Sequence, residues 1–368
     1  MSQPKKNTNS NVPPLRFPGF TDQWQSAPIG ELFKISVGGD IDKEHVSLHR
    51  SKEFPYPILA NALENDGIYG YSDIYKIKPN CLTVTGRGKV GVAKARFCEF
   101  YPIVRLMVLQ SEESRDFIFF ENAINSIRLY DESTGVPQLT APQLAKYRVS
   151  FPEYNEQQKI GEIFSILDRR IATQRKIIEE LESCNLQIIR DIVSSLKGYS
   201  VKPLGEIAEI TNGDGDVQDA VLEHNDNLYP FFDRSEQIKY LQEYSFDTEA
   251  IIYPGEGQSF MPRYYNGKFA LHQRCYAITN FGQEVLAKYC YYFMKTLNSY
   301  FVRTAVGSTV PSLRMDNFQK AAIIYPNIET QKHICKLLDS LGTKIRHEQE
   351  YLTLLNKQRQ HMLSKMFI

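Results

Sequence analysis

The chain has no net charge, no paired cysteines and no apolar run long enough to cross a bilayer. Lys and Arg number 43, as do Asp and Glu. The resulting pI is about 7.0, which excludes a free-standing non-specific DNA binder, normally strongly basic. The six cysteines (Cys81, Cys98, Cys184, Cys275, Cys290, Cys335) are scattered without a CxxC pair. They read as reduced thiols, not as a zinc site or a disulfide framework. With no signal-peptide pattern and no apolar run of 18 residues, a cytoplasmic location and no membrane span are expected. Catalytic signatures are missing too. No GxxxxGK[ST] is present, no Asn-Pro-Pro-Tyr/Phe or Asp-Pro-Pro-Tyr, and no Pro-Asp…Asp/Glu-x-Lys core. P-loop ATPase, base-flipping amino-methyltransferase and nuclease are thereby disfavoured. No HExxH is present; His45 and His49 have no carboxylate pattern beside them and read as a polar surface pair. Asp214 and Asp216 hint at a calcium loop, but no Glu falls at the twelfth position counted from Asp214, so a turn is expected and no metal.

What is present is a duplication. Residues 136–194 and 310–368 align without a gap at an offset of 174. Val136, Pro137 and Leu139 match Val310, Pro311 and Leu313; Pro152, Gln157, Ile160, Leu167, Ile171 and Leu181 match Pro326, Gln331, Ile334, Leu341, Ile345 and Leu355. An earlier echo pairs Ile29-Gly30-Glu31-Leu32 with Leu204-Gly205-Glu206-Ile207. So long a period means duplicated domains, not a solenoid of short repeats. The expected layout is a disordered lead-in over 1–14, a module over 15–155, a helix over 156–198, a second module over 199–327 and a second helix over 328–368.

The helices follow from periodicity. Ile160, Phe164, Leu167, Ile171, Ile178 and Leu181 fall at steps of three and four, broken at Gln174 and later at Asn185. The second copy repeats this with Ile334, Leu338, Leu341, Ile345, Leu352 and Leu355, broken at Glu348 and Arg359. This is a coiled-coil seam whose polar positions fix register and partner number. Each helix would span roughly 55–60 Å. They are expected to pack on each other antiparallel, or alternatively between two chains. The charges of Arg169 to Glu182 read as a solvated or docking face.

The modules are rich in aromatic and β-branched residues in short runs, such as Tyr56–Leu59, Cys81–Thr85, Val90–Phe97, Ala250–Tyr253 and Cys275–Thr279. A mainly β core is predicted, with short helices over Asp116–Tyr130 and Glu284–Arg303. Gly86-Arg87-Gly88-Lys89-Val90-Gly91 formally matches GxGxxG, but a strand follows it where a dinucleotide site needs a helix. A glycine-rich hairpin loop is the better reading. The second module carries Gly255-Glu256-Gly257 at an offset of 169 from Gly86-Arg87-Gly88. Basic residues concentrate beside both loops without acids: Arg87, Lys89, Lys94 and Arg96, then Arg263, Lys268 and Arg274.

The whole pattern resembles the specificity (S) subunit of type I restriction–modification enzymes. The resemblance covers nearly the entire chain. It rests on Leu15-Arg16-Phe17-Pro18-Gly19-Phe20 with Trp24, on the module starts at Gly30 and Gly205, and on Gly135-Val136-Pro137 and Gly307-Ser308-Thr309-Val310-Pro311. Pro152…Glu156-Gln157-Gln158 and Pro326…Thr330-Gln331-Lys332 complete it, and the change from Glu156 to Thr330 is expected to alter only helix-start capping. The resemblance implies an α+β fold in which two mainly-β target-recognition domains, related by pseudo-twofold symmetry, are separated by two long antiparallel coiled-coil helices acting as a ruler. It implies a DNA sequence-specificity subunit that reads a bipartite site in double-stranded DNA. Its implied partners are two modification (methyltransferase) subunits and restriction (translocase/endonuclease) subunits. S-adenosylmethionine, ATP and Mg would belong to those partners, with no cofactor and no catalytic residue in this chain. Candidate DNA contacts are Arg87, Lys89, Lys94, Arg96, Glu256, Gln258, Ser259, Arg263, Tyr264, Lys268 and Arg274. Arg87 would donate to guanine and Glu256 accept from cytosine, unless Glu256 merely pairs with Arg263. Two rival readings are a fused DNA methyltransferase–specificity enzyme and a coiled-coil scaffold with no role in DNA binding.

Overall fold

The computed structural model describes residues 11–127, 138–195, 198–307 and 309–368. They form two compact units, Met1–Gln174 with Tyr351–Ile368, and Arg175–Glu350. Residues 1–10 of the expected lead-in, and Gly135, Val136, Pro137 and Ser308 of the repeat, lie outside the described residues. The remainder of the lead-in is held in place: Pro13 is buried, and the backbone N–H of Trp24 donates to the Asn11 carbonyl at 2.9 Å.

In the first unit the chain runs β1 (Gln25–Pro28), α1 (Ile29–Leu32), β2 (Lys34–Val37), β3 (Tyr56–Leu59), β4 (Ile68–Ser72), β5 (Cys81–Val84), β6 (Ala93–Arg96), β7 (Tyr101–Pro102), β8 (Met107–Gln110), α2 (Phe117–Ser126), α3 (Ala141–Lys146), β9 (Arg148–Phe151) and α4 (Tyr154–Ser195). Strand order is β2-β8-β5-β6 in one sheet and β4-β3-β7 in another, with β1 and β9 paired separately. Cys81-Leu82-Thr83-Val84 is buried throughout because the sheet is covered on both faces. Leu82 and Val84 face a core with Phe119 and Phe120 of α2. Cys81 faces a second core with Leu59, Phe100 and Val108. The period of two thus sends alternate residues into two different cores.

The second unit repeats these parts as β10 (Ser200–Pro203), α5 (Leu204–Ile207), β11 (Glu209–Asn212), β12 (Tyr229–Phe232), β13 (Lys239–Leu241), β14 (Phe246–Pro254), β15 (Arg263–Leu271), β16 (Cys275–Thr279), α6 (Ala287–Met294), α7 (Asn298–Thr304), α8 (Met315–Gln319), β17 (Ala322–Tyr325) and α9 (Ile328–Met366). Its sheet order, β11-β16-β14-β15-β12-β13, matches the first unit's two sheets joined end to end. The joint is β15, which runs unbroken where the first unit breaks between β6 and β7. Both units pair their third strand in parallel with the same place, Ile58↔Tyr101 and Phe231↔Ala270.

The repeated glutamine explains why the long helices begin alike. The buried Gln157 amide donates to the Pro152 carbonyl at 2.9 Å and accepts from Asp116 N–H at 3.2 Å. Gln331 does the same with Pro326 and Leu286, both at 2.8 Å. One side chain thereby fastens the start of each long helix to the helix of its module.

The neighbouring position differs, with a consequence beyond the expected change of cap. Glu156 is fully buried and receives the Arg16 guanidinium through Nε at 2.7 Å and Nη2 at 2.6 Å. Arg16 belongs to the opening segment, so this carboxylate anchors a stretch of chain 140 residues away, whereas Thr330 carries no charge.

Within each unit the two long-helix segments run antiparallel. In the first, Phe164 contacts Phe367 while Asp168 pairs with Arg359. In the second, Gln349 donates to Glu182 at 3.1 Å. The seam is satisfied inside one chain. Ile160, Phe164, Leu167 and Ile171 are buried with Leu355 in the first unit, and Ile178, Ile334 and Leu338 in the second. Leu352, Leu181, Leu341 and Ile345 are half-buried.

Candidate nucleic-acid interface

Both glycine-rich segments are hairpin loops, as the sequence suggested. Residues 85–92 join β5 to β6, closed by Val84↔Ala93 and by Gly91 N–H donating to the Thr85 carbonyl at 2.7 Å. Residues 255–262 join β14 to β15. Arg87 forms a backbone bridge with Gln138, and Glu256 forms the same bridge with Ser312. Flanking bonds correspond as well: Leu139 N–H to the Gly86 carbonyl at 3.0 Å, and Leu313 N–H to the Gly255 carbonyl at 2.7 Å. Arg87 and Glu256 therefore occupy one structural position in two units. The glycines serve the protein's own packing, not only an approach to a ligand. A Cβ at Gly86 would lie 2.8 Å from the Leu139 carbonyl oxygen, and one at Gly255 2.1 Å from that of Arg274.

The charged side chains divide sharply. Arg87 and Lys89 are exposed at the first tip. Lys94 and Arg96 lie on one strand face and close on Asp66, Arg96 at 2.9 Å. Arg96, expected at the interface, is 8% exposed, and its Nε donates to Thr83 at 3.0 Å. It holds the turn over Asn65 and Asp66, whose φ values of 46° and 59° are left-handed. Such backbone needs outside support.

In the second unit Glu256 does not pair with Arg263. Its carboxylate accepts from Arg274 Nη1 at 3.0 and 3.2 Å, with Arg234 at 3.8 Å. Arg263 turns inward and donates to the Ser235 carbonyl. Tyr264 donates its hydroxyl to Glu249; burial and that carboxylate push its pKa above the ordinary tyrosine range. Gln258 and Ser259 are exposed, and the loop is pinned where Phe260 N–H donates to Asn298 at 2.8 Å. Glu256 and Arg274 line a 230 Å³ cavity with Asp233, Arg234 and His272. Burial would raise the Asp233 carboxyl, but Lys239 and Ser235, each 2.6 Å away, outweigh it and hold the pKa low. Lys268 is exposed and lies 4.7 Å from the Tyr244 ring centroid.

A sequence reading missed what lies between helix pair and module. In the first unit Arg359 bridges Asp168, at 2.5 and 3.1 Å, and Asn122, at 2.9 Å. The repeat replaces Arg359 by Asn185 and Asp168 by Gly342. The second unit there has a 740 Å³ cavity, lined also by Tyr264, Lys288, Tyr291, Tyr292 and Lys295. Asn185 Oδ1 is buried in it without a partner among the described residues.

Two like β modules, each offering a hairpin tip of different chemistry, define a duplicated recognition protein. The chain belongs to the type I restriction modification DNA specificity family: its domain matches residues 21–183 and again 197–357. The chain is 31% identical over 153 residues to the type I restriction enzyme EcoDI specificity subunit of Escherichia coli, covering 40% of this chain and 33% of that protein. It thus spans about a third of that relative's length in the matched region. The MjaIX specificity subunit of Methanocaldococcus jannaschii is 23% identical over 290 residues, 68% of this chain and 67% of that one. Among solved structures, the S subunit from M. genitalium superposes with a TM-score of 0.66 at 18% identity, covering 97% of this chain and 99% of that one. That likeness concerns the fold.

Proposed function

We propose that this chain selects the DNA sequence for a type I restriction–modification complex, each recognition domain reading one half of a bipartite site in double-stranded DNA. The observation that carries this reading is the pair of hairpin tips, equal in backbone and unequal in side chain. A shared frame presenting Arg87 in one unit and a Glu256–Arg274 pair in the other suits two half-sites of different sequence. Arg87, Lys89, Gln258, Ser259, Lys268 and Arg274 are the candidate contacts left accessible. Lys94 is accessible too, beside Asp66; Glu256 orients Arg274, and Arg96, Arg263 and Tyr264 serve the fold. Family membership supports the partners: two methyltransferase subunits that carry S-adenosylmethionine, and restriction subunits that use ATP and Mg, in the cytoplasm. No described helix is long and apolar enough to cross a membrane.

The test is a map of genomic methylation in cells with and without the chain. A bipartite motif should vanish when it is removed. A motif indifferent to the chain, or methyl transfer by the purified chain alone, would overturn the proposal.

A further inference from the structure

Each unit carries a second duplicated feature, at the far end of the hairpin from its tip. In the first unit Lys76 N–H donates to the Phe100 carbonyl at 3.1 Å; in the second, Ser245 N–H donates to the Phe269 carbonyl at 3.0 Å. These bonds fix a correspondence in which Tyr75 matches Tyr244 and Glu99 matches Lys268, each pair 169 residues apart. Tyr56 and Tyr229 open the corresponding strands β3 and β12. In both units the two tyrosine rings meet, Tyr56 with Tyr75 at 4.9 Å and Tyr229 with Tyr244 at 4.8 Å. Tyr75 and Tyr244 remain about two-fifths exposed. Between the units the buried partners of these strands have changed, for example Ile58 and Leu59 to Phe231 and Phe232. An aromatic pair with one exposed and one half-buried ring, kept while the core beneath it drifts, is not explained by packing.

The third member carries opposite charge in the two units. Glu99 lies beside Tyr75 and pushes its hydroxyl above the ordinary range, first by its charge and then by a hydrogen bond. Lys268 stands 4.7 Å from the centre of the Tyr244 ring and 6.0 Å from that of Tyr229. A phosphate contact would require a cation in both units, and Glu99 would repel phosphate. A base edge tolerates either sign: a carboxylate accepts from the amino group of cytosine or adenine, and an ammonium donates to guanine. Tyrosine pairs hold the charged group in place before binding, which lowers the ordering cost.

Resting on the DNA-reading role proposed above, we propose that Glu99 and Lys268 are specificity-determining residues, each reading one base of its half-site from a tyrosine-pair platform. The test uses the full chain with its methyltransferase subunits in cells, with motifs read from genomic methylation. Glu99→Gln should relax one position of the first half-site by about 5- to 150-fold, the discrimination of one good base contact, leaving the second half-site intact. Lys268→Met should do the same to the second alone. Glu99→Lys, which installs the other unit's residue, should shift that position towards guanine. Motifs unchanged in all three variants, with methylation at the parent's level, would overturn the inference. So would uniform loss at every position, which marks the residues as structural; emission from Trp24 checks folding of the first unit. If no motif depends on the parent chain itself, the DNA-reading role fails instead.

Discussion

Replacing Arg16 by methionine should cost the first unit about 3–5 kcal/mol at neutral pH, through a single carboxylate. Glu156 is wholly buried and its charge is balanced by one guanidinium. Once Arg16 is gone, the carboxylate can stay charged without a partner, a situation worth about 3–5 kcal/mol. Arg16→Met with Glu156→Gln leaves no charge behind and should recover most of the stability. Trp24, the sole tryptophan, is buried in this unit against Phe119 and Phe367, so its emission during urea unfolding reports the right event. A loss below about 1 kcal/mol at pH 7, or no recovery in the double variant, would refute the reasoning.

Other outcomes follow from neighbouring features. Arg359→Met removes hydrogen bonds to Asp168 and Asn122 and a guanidinium 5.5 Å from the Phe164 ring; with Asp168 partly exposed, the same assay should show about 1–2 kcal/mol lost. Gly342→Ala should stabilise the second unit by about 0.5–1 kcal/mol in thermal unfolding, because the added Cβ meets nothing within 4 Å. Asp233, whose folded pKa is held low, contributes stability that is present above its unfolded pKa of about 3.9 and is lost as pH falls through the folded value. Asp233→Asn should therefore cost about 1–3 kcal/mol at pH 7 and converge on the parent in acid; a constant difference across pH would contradict this.

The elements were largely legible because their signals are local. Tyr56–Leu59 and Cys275–Thr279 are strands with the bounds their apolar runs suggested, and the heptad residues of both long helices are buried or half-buried. The interface was less legible because its contacts are non-local. Lys94 and Arg96 share a strand face by the period of two, yet which of them reaches water is decided by the turn at Asn65 and Asp66. Arg263 was the obvious mate for Glu256 by proximity in sequence, but Arg274 on the following turn takes that place. Comparison of the repeats marked Glu156 as different from Thr330 without revealing Arg16 opposite it.

The first unit is discontinuous, and this imposes an order on its birth at the ribosome. The second unit, Arg175–Glu350, is an unbroken stretch that is complete once Glu350 has emerged. The first unit is translated first but needs Tyr351–Ile368, whose Phe367 fills the space between Trp24, Phe119 and Phe164. Leu15 N–H also donates to the Lys365 carbonyl at 2.9 Å. The earlier-made domain therefore stays open, with Trp24 and Phe119 uncovered, until the segment from Tyr351 to Ile368 reaches it. Loss of the last few residues would thus register in the domain made earliest.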